Sequence, residues 1–166
     1  MFALKPISPE SIPGALAKAE RYRLINEPGE AESICHDILA ADASNEQALI
    51  GLVLALSDQI ATDSRAFANA LSTAARLQTP YDRTYYSGIA WERRAKAKQH
   101  AGSHGGRHDI YDWVVKAMKL FEEASAIRET GNDDALLRWN ACVRFLARHM
   151  DLVPRGEEVA EPITSE

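Results

Sequence analysis

From Ser11 to Met150 the apolar residues of this chain step by threes and fours with little interruption, and the steps fall in pairs of segments divided by short turns. Ala19-x-x-Tyr22, then Ala31-x-x-x-Cys35-x-x-Ile38-Leu39, then Asp42-Ala43-Ser44-Asn45 show the pattern best. Small residues stand where helices must approach closely, and larger ones stand where they interlock. A chain patterned this way buries itself helix against helix, and no segment alternates as a strand would. The expected fold class is therefore all-α.

The turns divide the chain. Asn26-Glu27-Pro28-Gly29 ends a first helix expected over 11–26, whose buried face is Ile12, Ala15, Leu16, Ala19 and Tyr22. A second, over 30–41, carries Ala31, Ile34, Cys35, Ile38 and Leu39 as one stripe. Ser44 and Gln47 form a capping-box pattern, so a third helix should begin near Asn45. Thr62 or Asp63 is the expected cap of a fourth that continues through Leu77, and Thr79-Pro80 should open a fifth, since proline at the first helical position forfeits no needed hydrogen bond. Gly88 sits mid-helix at a cost of roughly 1 kcal/mol relative to alanine, which points to a close helix contact. A sixth helix is expected over 109–129 and a seventh along Leu136, Trp139, Val143, Leu146 and Met150.

This spacing resembles the tetratricopeptide repeat (TPR), a pair of helices of about 34 residues that stacks into a solenoid. The resemblance implies a right-handed α-α superhelix of three helix hairpins plus a C-terminal capping helix. It covers 11–150, after a lead-in of residues 1–10, with an insertion loop near 99–109 and an acidic, mobile tail over 151–166. The first pair is clear. The second lacks the family's usual glycine, Ala43 stands where proline is typical, and the insertion interrupts the third. The stretch 131–142 is similar to the end of a bacterial TPR-like group.

Proteins of this family act mainly as adaptors that hold a peptide along the first helix of each pair. Carried over position by position, that groove falls on Leu16, Glu20 and Arg23, then Gln47, Leu54 and Asp58, then Tyr85, Ile89, Glu92 and Arg93. On the last helix Asp134 and Arg138 lie four apart, as do Asn140 and Arg144, so each pair can be either a helix-surface contact or part of a site. The candidate partner-binding residues are thus Arg23, Asp58, Tyr85, Glu92, Arg93, Arg138, Asn140 and Arg144.

Charge narrows the partner. The chain has a formal net charge of -5, yet 151–166 alone hold five acids against one arginine, so the body is nearly neutral. Nucleic acid is not an expected partner. One block, 93–108, has no acidic side chain and contains Arg93, Arg94, Lys96, Lys98 and Arg107. It is a solvated helix end, a site for an acidic protein segment or phosphate, or a dock for the acidic tail.

His100, His104 and His108 recur every four residues in this block, a spacing that suits metal on a helix, but the intervening glycines favour a surface loop. Metal binding there is an alternative function, and self-association through exposed faces of the terminal helices is another.

Cys35 and Cys142 each sit among helical apolar neighbours and are expected as small core residues in a reducing compartment. No secretory signal or spanning segment is read, so cytoplasm is expected. There is no phosphate-binding glycine loop, nucleophile elbow or paired-cysteine site, so neither an enzyme nor a cofactor is expected.

Overall fold

A computed structural model describes residues 2–102 and 106–154. Seven α-helices account for most of them: α1 (Ile12–Leu24), α2 (Pro28–Ala41), α3 (Glu46–Asp58), α4 (Ala66–Ala74), α5 (Pro80–His100), α6 (Arg107–Ala126) and α7 (Asp134–Arg148). Single 3-10 turns precede α1 (Pro9–Ser11) and follow α7 (Met150–Leu152). No strand occurs among the described residues, so the all-α class holds. None of their helices is long and apolar enough to cross a membrane.

Each helix packs on its neighbours in sequence, and α3 also packs against both α1 and α5. The core has two parts. Ala19, Cys35, Leu52, Val53, Leu56 and Leu77 belong to the first, among α1 to α5. Ile89, Val114, Ala117, Phe121, Cys142 and Leu152 belong to the second, beyond α5. Gly88 joins α5 to α6: a Cβ there would stand 2.7 Å from the Phe121 ring, and Phe121 is wholly buried.

Local chemistry explains the helix ends. Asn26 takes a positive φ of 64°, closing α1 as a left-handed residue tolerant of that geometry should. Thr79 caps α5 by accepting a hydrogen bond from the Asp82 amide at 2.9 Å.

The expected Ser44 cap is corrected. Asn45 caps α3, its Oδ1 accepting from the Ala48 amide at 3.0 Å, while Ser44 turns to Asp42. The fourth helix is shorter than expected, because Thr62, Asp63 and Arg65 form turns in which Asp63 accepts from the Arg65 amide. The insertion shrinks as well, since α5 continues to His100 and α6 starts at Arg107.

Beyond α7 the expected mobile tail gives way to structure over its first residues. Leu152 is 3% exposed and packs with the second core part, and Asp151 lies 3.7 Å from Arg107. Residues 155–166, with most of the acids of that tail, lie outside the described residues, as does His104.

Candidate functional site

Three helices converge their charges on one face. Asp58, at the end of α3, accepts from Arg23 Nε of α1 at 2.7 Å, and its other oxygen meets Arg93 Nη1 of α5. One carboxylate thus serves two guanidiniums, with all three side chains about a fifth to a quarter exposed. Burial first, and then the like charges of Arg23 and Arg138, pull the Arg93 pKa down to about 10. Arg93 still carries its proton at neutral pH. Its cation is held where cations are already in excess.

One residue along α5, Glu92 is buried, with 2% of its side chain exposed. Lys96 pairs with Oε1 from the next turn, and Arg138 Nη1 reaches across from α7 to within 3.5 Å of Oε2. A buried carboxylate left alone would be strongly disfavoured, so these two cations are what allow it. Tyr85 lies beside Arg138 with its ring packed against Tyr81, Tyr86 and Phe121. Burial raises the Tyr85 pKa, Arg138 pulling the other way, and the phenol remains protonated near neutrality. The belt therefore joins four cations, Arg23, Arg93, Lys96 and Arg138, to two carboxylates, Asp58 and Glu92, with Glu20 and Asp134 at its borders.

Next to this belt lies an apolar hollow between α1 and α3 of about 640 Å³, lined by Ile12, Leu16, Ile50 and Leu54, with Arg23 and Glu20 at its polar side. Gly51 lines it too, and a Cβ there would press on Cys35 Sγ at 3.1 Å. Leu16, Gln47 and Leu54 line or border the hollow as the sequence suggests. Ile89 does not. It is 2% exposed and belongs to the second core part.

Of the residues singled out in the sequence, Arg23, Asp58, Tyr85, Glu92, Arg93 and Arg138 come together. Asn140 and Arg144 do not: both are exposed on α7, on the side away from Arg138, and the Arg144 carbonyl accepts from Arg148 Nε. Helical geometry accounts for this, since the stripe Arg138-Cys142-Phe145 excludes positions two and six residues beyond Arg138. Lys96 and Ile50 were not among the groove candidates. Lys96 was hidden in a run of basic residues, and the width of the apolar arc on α3 was the signal for Ile50.

Burial raises Cys35 to about 11 and Cys142 to about 12, so both are neutral thiols at physiological pH. His100 Nδ1 lies 2.7 Å from the Lys96 carbonyl, and no group of three candidate metal ligands occurs among the described residues. No family model, curated protein or solved structure matches this chain.

Proposed function

We propose that this chain is a non-catalytic protein-interaction module, a TPR-like adaptor that holds a peptide or protein segment along α1, α3 and α5. The observation that supports this most is the join between the apolar hollow and the cation-rich belt, which offers one ligand an aliphatic anchor and a carboxylate partner side by side. The ligand this favours is an extended segment with an acidic side chain near a leucine- or isoleucine-like one.

Arg93 is central to the reading. In the free protein it shares the single carboxylate of Asp58 with Arg23, and an incoming carboxylate would give this guanidinium pair a second acid.

The test is selection from a displayed peptide library, followed by titration of the selected peptide against variants. Arg93→Met should weaken binding about tenfold or more while changing folding stability by under about 1 kcal/mol, because Asp58 keeps Arg23. Leu54→Asp should abolish binding. If selection yields no sequence, or selected peptides bind Arg93→Met and Leu54→Asp unchanged, this reading fails.

Self-association has its own support in exposed Leu136, Leu137 and Val143 on α7, where Leu137 is 64% exposed. A concentration-dependent dimer that Leu137→Glu dissolves would favour that reading.

A further inference from the structure

The face of α5 turned away from the charged belt has a second, differently built arrangement. Arg94 lies between two aromatic rings, its Cζ 4.2 Å from the Phe67 centroid on α4 and 4.1 Å from the Trp113 centroid on α6. Trp91 stands edge-on to Phe67 at 4.7 Å and lies 5.5 Å from the same guanidinium. Three aromatic rings thus lie within 5.5 Å of the guanidinium carbon. Among the described residues Arg94 makes no ion pair and no side-chain hydrogen bond, although a guanidinium has five N–H donors.

Lys98 follows one helical turn later on the same face and likewise has no carboxylate partner among the described residues. Its stem is held too: Cε passes so near Gly106 that a Cβ there would collide with it. The contrast within α5 is plain, since among the described residues Arg93 and Lys96 each meet an acid while Arg94 and Lys98 do not.

Two like charges four residues apart on a helix repel each other. Here they also border a cavity of about 340 Å³, lined further by Ser64, Phe67, Ala97 and Trp113. Asp63 is the acid at its rim, and Arg65 already engages it through the backbone amide at 2.8 Å and through Nε at 3.8 Å. Among the described residues Asp63 is the one acid lining this cavity, and the flanking stretch 93–108 contains none.

We propose that Arg94 and Lys98 form a binding site for a phosphate monoester dianion. Its two negative charges match two cations that have no carboxylate partner among the described residues, and its three oxygens can accept from the guanidinium and the ammonium together. The aromatic clamp fixes Arg94 before the ligand arrives, so little side-chain freedom remains to be lost on binding. The cavity admits a phosphate with a small ester substituent and is too small for a folded partner. This site stands independently of the α1/α3 groove and of the function proposed for it.

The test is calorimetric titration of the full chain with inorganic phosphate and with a small phosphate monoester, each against sodium chloride and sodium acetate at matched ionic strength. Expected is one-site saturation with both phosphates in the millimolar range or tighter, and none with chloride or acetate. Arg94→Lys should weaken it about tenfold, since a point charge replaces the fork, and Lys98→Gln should weaken it several-fold. Circular dichroism checks that Arg94→Lys folds; if it does not, Lys98→Gln, altered only at the end of a surface side chain, decides alone. Saturation by inorganic phosphate but not the ester would also overturn the proposal as stated. So would heats equal to those of matched chloride, or wild-type affinity in Lys98→Gln.

Discussion

Glu92 is the side chain whose surroundings say most about how this protein tolerates charge. It is buried, yet both of its partners, Lys96 and Arg138, are more than a third exposed and can turn to water if it is removed. Glu92→Gln should therefore cost less than the 3–5 kcal/mol typical of breaking a wholly buried pair, about 1–3 kcal/mol, read as a lower denaturant midpoint with an unchanged slope. The two thiols give a pH dependence of definite sign. Their folded values, about 11 and 12, lie above the ordinary thiol value of 9.0, so above pH 9 the unfolded chain loses protons that the folded chain keeps. Stability attributable to Cys35 and Cys142 is full below pH 9 and is lost as pH rises through 11 and 12. Replacing both with alanine should flatten the alkaline limb of the stability profile. In the native protein near neutral pH, neither thiol should react with a thiol reagent until denaturant is added.

The contact between α5 and α6 rests on one glycine. Gly88→Ala gains roughly 1 kcal/mol of helix propensity but drives a methyl group into a wholly buried ring, an overpacking cost of about 1–3 kcal/mol. The expected result is a lower melting temperature than wild type, and a larger loss than for Gly51→Ala, whose Cβ meets only Cys35 Sγ at 3.1 Å. Helices were readable in the sequence where a cap or breaker marks them: Thr79 with Pro80, and Asn26 with its positive φ. The face of each helix was less so. Glu92 and Arg138 lie 46 positions apart, and nothing local announces that they meet, whereas the misplacement of Asn140 and Arg144 could have been avoided by continuing the Arg138 to Cys142 stripe. The fold-back after α7 was unreadable for another reason. Leu152 and Val153 are a two-residue apolar step before Pro154 and Gly156, too short to show a periodicity.

Across the molecule, the two parts of the core share α5 as a wall, with Ala90 in the first and Ile89 in the second. Damage to either part should be felt by the other. Phe121→Ala, costing about 3–5 kcal/mol, should lower the protection of α3 amides against hydrogen exchange as well as those of α6. A loss confined to α6 and α7 would mean that the parts unfold separately. Leu152 has a mechanical consequence. Because the turn after α7 is pegged to α6, a pull on the C-terminal side is first borne by that peg and shared between α6 and α7. A motor that unwinds proteins from that side would have to draw out one leucine before it could peel the last helix.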